Sequence, residues 1–278
     1  MSTFPLSAAR TAIITGAAGG LGRALCQRLA RDGWQIAVCD IDEAGAAETL
    51  DLVRQAGGDG RVERFDVADA AAWAALRQRL ERDWPQLDLL VNNAGVAVSG
   101  NVGDCPLEDW RWIVDINLWN VIHGCHTFVD WLKRNPRGGY IINTASLAAF
   151  GSAPGMAAYN ATKAAVVSLS ETLHVELLPH GVGVTVLCPS FFPTNLLDNG
   201  RFRDAAQRRV AAGEFARTRL TAERVADEAV KAMQARRLYV VLPARGRLVW
   251  YLKRLSPTLF VKLVVREVRR RFGPERPG

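Results

Sequence analysis

Thr11-Ala12-Ile13-Ile14-Thr15-Gly16-Ala17-Ala18-Gly19-Gly20-Leu21-Gly22 decides the fold: four glycines in seven residues follow directly on an apolar run. Thr11–Ile14 is apolar and β-branched, as suits a strand buried in a parallel sheet, and Leu21–Leu29 reads as the opening of a helix. The glycines therefore fall in a strand-to-helix turn. Gly16 permits the turn conformation, Gly20 lets backbone approach a ligand with no Cβ in the way, and Gly22 allows close helix-to-strand packing. The helix start at Leu21 offers backbone N–H groups to an anion, and a pyrophosphate fits that need.

Working outward, the next strand, Trp34-Gln35-Ile36-Ala37-Val38-Cys39-Asp40, ends on a carboxylate about twenty residues beyond the loop. At that distance Asp40 can accept hydrogen bonds from the hydroxyls of an adenosine ribose, and it would repel a 2′-phosphate. The alternative is a strand-end Asp that caps a turn. Neither Gly19 nor Ile41 supplies the cation a 2′-phosphate needs, so NAD is expected rather than NADP. Strand-like runs at Thr11–Thr15, Ile36–Asp40, Arg61–Val67, Leu87–Asn93, Tyr140–Ser146, Val182–Cys188 and Leu238–Pro243 alternate with helix-like stretches. That alternation predicts an α/β fold in three layers, a seven-stranded parallel sheet with helices on both faces.

Thirteen residues after Ser146 stands Tyr159-Asn160-Ala161-Thr162-Lys163. A phenol and an ammonium four apart on a helix share a face, and a neighbouring cation favours the phenolate, lowering a pKa of roughly 10 toward the range of general acid/base work. Alone, the spacing is also that of a solvated helix face. The glycine loop makes the catalytic reading the stronger one.

With these motifs placed, the chain resembles the short-chain dehydrogenase/reductase family from about Thr11 to about Pro243. The resemblance implies a Rossmann-type domain over residues 1–246, with a lid over residues 190–220. It implies a catalytic set of Asn117, Ser146, Tyr159 and Lys163, in which Asn117 holds a water that links the lysine to solvent. For the dinucleotide it implies Gly16, Gly20, Leu21, Gly22, Asp40, Asp66 and Val67, Asn93 of Asn92-Asn93-Ala94-Gly95, Tyr159, Lys163, Pro189 and Thr194. Cys188-Pro189-Ser190 departs from the family's usual Pro-Gly, which leaves the local loop shape open. The implied chemistry is hydride transfer between NAD(H) and an alcohol/carbonyl pair.

A chain of 278 residues, 49% hydrophobic, buries a full core as one domain. Five scattered cysteines, none in a C-x-x-C pair, read as reduced, buried thiols of a cytoplasmic protein, and four histidines form no convincing metal-ligand set. Met1–Arg10 has no apolar core of signal-peptide length, so no export is expected. The stretch Leu107–Arg134, with Trp110, Trp112, Trp119 and Trp131, resembles the family's subunit-packing helix, so a homodimer or homotetramer is expected; on the residues alone these Trp equally suit the core. Phe191, Phe192, Leu196, Leu197, Phe202 and Phe215 in the lid, with Phe150, Met156 and Ala157 near Tyr159, suit a lipophilic secondary alcohol or ketone, unless they only pack the lid.

From Arg236 to Gly278 there are twelve Lys and Arg against Glu267 and Glu275, so the net charge of +7 belongs to this end. Ser256-Pro257 reads as an N-cap and first-turn proline of a helix whose stripe is Phe260, Val261, Val264, Val265, Val268 and Phe272, with Lys262, Arg266, Arg269 and Arg270 off it. Residues 247–278 form a basic amphipathic extension. It either lies on a membrane surface, packs on the lid or a neighbouring subunit, or is partly disordered after Phe272. Nucleic acid is not expected, since no recognition motif accompanies the charge. The rival to an enzyme is a non-catalytic, dinucleotide-sensing or membrane-associating protein that keeps the fold; the intact proton-transfer set argues against it.

Overall fold

The computed structural model describes residues 9–194, 196–203 and 205–273; the stretch read above for an export signal lies mostly outside them, as does the end of the tail. Seven strands form one parallel sheet in the order β3-β2-β1-β4-β5-β6-β7. They are β1 Thr11–Thr15, β2 Gln35–Asp40, β3 Asp59–Arg64, β4 Leu89–Asn92, β5 Tyr140–Thr144, β6 Gly183–Pro189 and β7 Tyr239–Leu242. The helices are α1 Gly20–Ala30, α2 Glu43–Gln55, α3 Ala70–Asp83, α4 Leu107–Val114, α5 Asn120–Lys133, α6 Ala148–Gly151 and α7 Ala157–Leu177. After them come α8 Ala205–Arg217, α9 Ala222–Gln234, α10 Ala244–Leu255 and α11 Pro257–Phe272.

The period of two in each strand sends alternate residues to opposite faces. Ala12, Ile14, Ile36, Val38, Leu89 and Val91 pack with α1, α2 and α9, whereas Ile13, Ala37, Leu90 and Ile141 pack with α3, α5 and α7. Both faces are covered, which is why the central strands read as unbroken apolar runs. The strand order reverses between β1 and β4. In open sheets of this kind the carboxyl ends at the reversal form the ligand crevice, and the glycine loop lies there.

Three expectations need correction. β3 begins at Asp59, two residues early, and ends at Arg64 rather than Val67. Phe65 N still donates to Asp40 O at 3.3 Å, but Asp66 then turns the chain, its Oδ1 accepting from Ala68 N at 2.9 Å. The stretch Leu107–Arg134 is not one α-helix: a π-helical segment, Asp115–Trp119, separates α4 from α5. Its tryptophans divide, with Trp131 buried against Phe128, Trp110 and Trp112 half-buried, and Trp119 exposed. Ser256 stands at the N-cap position of α11, but its side chain makes no capping bond.

Candidate active site

Gly16 and Gly20 have φ of +64° and +51°, the left-handed region that glycine tolerates. A Cβ on Gly22 would lie 2.1 Å from Gly16 O, so α1 is drawn against the end of β1 as closely as the turn requires. Thr15 fixes that turn to β4. Its Oγ1 accepts from Asn93 N at 3.0 Å and Ala94 N at 3.1 Å and donates to Val91 O at 3.3 Å. Asn93 Nδ2 donates to Thr15 O at 3.0 Å, so Asn93 braces the loop. Gly19, the N-cap of α1, provides no side-chain cap, which leaves the first N–H groups of the helix for a ligand, and Thr194 packs over Gly20. The Leu21 side chain is buried in the core, so only its backbone can serve the crevice.

Asp40 accepts from Ala18 N at 2.9 Å and Asp42 N at 3.1 Å. It therefore does cap a turn, yet a carboxylate has about four acceptor positions, and enough remain for ribose hydroxyls. Two cations that sequence proximity did not reveal come near: Arg23 donates to Ala18 O and pairs with Glu48 at 3.0 Å, and Arg64 lies 3.9 Å from Glu43. Asp66 is exposed just beyond β3, and Val67 is buried with its carbonyl accepting from Trp73 Nε1 at 2.9 Å. Turn loop, open helix start and acceptor suit a dinucleotide.

The carboxyl end of β5 and the first turns of α7 bring the four catalytic candidates together. Ser146 accepts from Ala148 N at 3.1 Å and reaches Pro189 O at 3.4 Å. Leu147 N also donates to Pro189 O, at 2.8 Å, and Ser190 N to Leu242 O, so Ser190 leaves the ladder at the end of β6 intact. Lys163 Nζ donates to Thr144 O at 2.9 Å and lies 5.8 Å from the centre of the Tyr159 ring. Asn117 is fully buried in the π-helical segment; its Oδ1 accepts from Val96 N at 2.8 Å and its Nδ2 donates to Val96 O at 2.9 Å. A Cβ on Gly95 would meet Asn117 Oδ1 at 3.1 Å and Lys163 Nζ at 3.3 Å, so this glycine is what lets the two approach.

The electrostatics of the pair differ from expectation. Burial raises the Tyr159 phenol above its usual value, and the Ser146 hydroxyl only partly offsets this. Burial also pushes Lys163 down to about 8. Desolvation is the larger effect at both groups. Without a further positive charge nearby, Tyr159 rests as a neutral phenol, a proton donor.

Sequence reading missed Val96, Thr144 and Thr15, which act through a backbone carbonyl, an N–H or a short hydroxyl and carry no motif of their own. Among the described residues no cluster of three or more His, Cys, Asp or Glu could hold a metal, and all five cysteines are free and buried.

Comparison with known proteins agrees with this geometry. Residues 10–204 match the family model for short chain dehydrogenases. EphD of Mycobacterium tuberculosis, named as an oxidoreductase, is 36% identical over 184 residues, or 66% of this chain and 31% of EphD; the chain thus spans about a third of that relative. SadH of the same organism, also named as an oxidoreductase, is 31% identical over 277 residues, covering 98% of this chain and 99% of SadH. A short chain dehydrogenase/reductase from Burkholderia phymatum, solved in complex with NAD, superposes with a TM-score of 0.83 and 34% identity over 90% of this chain and 95% of its own. The chain belongs to the short-chain dehydrogenase/reductase family.

Proposed function

We propose that the chain interconverts an apolar secondary alcohol and its ketone and prefers NAD(H). The observation that carries the substrate class is the surroundings of Tyr159, which packs with Val98, Ile113 and Ala158 and against half-buried Met156, Leu196 and Phe202. Two cations of this segment are paired: Arg201 with Asp109 at 2.7 Å and Arg208 with Asp198 at 3.3 Å. Not every apolar residue assigned to the mouth lies there. Phe192 is buried in the core beside α1 and α9, and Phe150 packs toward Trp250.

A dinucleotide held in the crevice would supply the hydride during reduction and accept it during oxidation, and in its oxidised form would add a positive charge at the nicotinamide ring. Tyr159 moves the proton, giving it to the carbonyl oxygen during reduction and taking the hydroxyl proton during oxidation. Ser146 holds the same oxygen beside Tyr159. Lys163, fixed by Thr144 O, adds positive charge below the tyrosine.

NAD preference rests on Asp40, whose carboxylate opposes a 2′-phosphate, with Arg23 and Arg64 engaged by Glu48 and Glu43. The test is a panel of hydrophobic and charged alcohols and ketones assayed by nicotinamide absorbance with each cofactor. Faster turnover of apolar substrates with NAD is expected, and Asp40→Ala should lower kcat/KM with NAD while raising it with NADP. A parent that prefers NADP would show that Arg23 or Arg64 outweighs Asp40; turnover confined to charged substrates would refute the substrate class.

A further inference from the structure

We infer that the hairpin of α10 and α11 is a docking surface for an anionic lipid bilayer, on which the chain lies without crossing it. One side of α10 is fastened to the body. Trp250 packs against Tyr239 and Phe150, with ring centres 5.0 and 6.4 Å away, Arg254 pairs with Glu171 at 3.0 Å, and Lys253 donates to Ser152 Oγ at 2.9 Å. The other side carries Leu248, Tyr251 and Leu255, three and four apart, exposed by 72, 53 and 84%.

The stripe predicted on α11 is split. Phe260 is buried against α10 with Val264 and Val268 half-buried on the same edge, whereas Val261 and Val265 point outward together with Leu259 and Leu263; the side chain of Phe272 lies outside the described residues. Among the described residues, seven of the thirteen exposed large apolar side chains fall between Leu248 and Val265. Single exposed apolar residues are ordinary on a surface, but a cluster marks a contact.

Charge selects the partner. Between Ala244 and Phe272 stand nine Lys and Arg and one acid, Glu267, which pairs with Arg270 at 2.8 Å. Val261 and Val265 line a surface groove of about 350 Å³ together with Lys262, Arg266 and Arg269 on the same side of α11. Exposed apolar side chains beside a row of cations match the acyl chains and headgroup phosphates of an anionic bilayer. A second copy of this hairpin would set cations against cations, and a nucleic-acid backbone would leave the Leu and Val faces in water. No described helix is long and apolar enough to cross a membrane, so the hairpin lies in the interface plane. Because α10 packs on α6, which closely follows Ser146, the hairpin stands beside the reaction site with its docked face turned away; the inference itself does not depend on the substrate.

The test is co-sedimentation of the full chain with vesicles of phosphatidylcholine alone or with equal phosphatidylglycerol. Binding to the anionic vesicles should exceed binding to the neutral ones at least tenfold and weaken strongly near 1 M salt, where the Debye length is about 3 Å. Replacing Lys262, Arg266 and Arg269 by Gln should lower partitioning by about 10²-fold with unchanged melting, since each cation near such a surface contributes on the order of a tenfold factor or less. No pelleting of the parent, or equal pelleting with both vesicles, overturns the inference without recourse to any variant. So does a drop in oligomeric mass on replacing Val261 and Val265 by Ser with no loss of lipid binding, because that outcome assigns the face to a second copy.

Discussion

At the scale of single residues, Tyr159 shows how burial competes with charge. Its neighbour Lys163 is four positions on in α7, yet desolvation raises the phenol and lowers the ammonium together. Tyr159→Phe should cut kcat by about 10²–10⁴-fold, the usual worth of general acid/base catalysis, while cofactor titration by nicotinamide fluorescence stays near the parent. Turnover within tenfold of the parent would remove Tyr159 from the mechanism. Lys163 also leaves a trace in stability. Its folded pKa of about 8 lies below the ordinary 10.5, so between those values the unfolded chain binds more protons, and rising pH favours the folded state. Buried cysteines and Tyr159 oppose that trend, so the measurement is a difference. Urea midpoints of the parent should gain on those of Lys163→Met as pH rises from 8 toward 10, and a constant gap would show that Lys163 keeps its ordinary pKa.

At the scale of elements, the π-helical segment Asp115–Trp119 is where helix regularity yields to the site. Such bulges recur at functional positions because the extra residue per turn redirects a side chain. Here it accompanies Asn117, whose amide satisfies both backbone groups of Val96 just beyond Gly95. Asn117→Ala leaves the half-buried N–H and carbonyl of Val96 without the Asn117 amide and should cost up to about 1–3 kcal/mol for each group left unsatisfied. The expected readout is a clear fall in thermal midpoint together with lost turnover. A variant that melts like the parent but turns over slowly would instead confine Asn117 to proton relay.

At the scale of the molecule, the segment 190–220 proposed as the lid is tied to the body by backbone hydrogen bonds and by an ion pair. Arg201 N donates to Ala97 O at 2.9 Å, Ser99 N donates to Arg201 O at 3.0 Å, and the guanidinium spans Asp109 and the face of Trp112, 4.0 Å away. Asp109 is buried, so losing its partner leaves a carboxylate poorly solvated. Arg201→Ala should weaken lid closure by about 1.5–3 kcal/mol, the range for a charged hydrogen bond, and raise KM by roughly tenfold or more with a smaller change in kcat. Steady-state kinetics on Arg201→Ala, Asp109→Ala and the double variant would separate this latch from simple loss of fold. Additive effects would show that the two residues do not act as a pair.

Much of this was legible along the chain because its signals are local. Strand runs, the glycine turn and the Tyr159 to Lys163 spacing each depend on neighbours within a few residues, and buried parallel strands advertise themselves by continuous apolar character. The end of β3, the break between α4 and α5, and the split of the α11 stripe were not legible, because each is set by what packs across from it. The same holds for the tyrosine. Four-residue spacing placed a cation near a phenol, but whether that cation lowers or fails to lower the phenol's pKa depends on how much water the fold removes from both. The sequence by itself determined the sheet and the crevice at its reversal, and it marked Ser146, Tyr159 and Lys163 as candidates for proton transfer. Only the tertiary structure decided their ionisation, the latch between Arg201 and Asp109, and which apolar residues of the tail remain in water, since burial and long-range pairing are properties of the assembled fold.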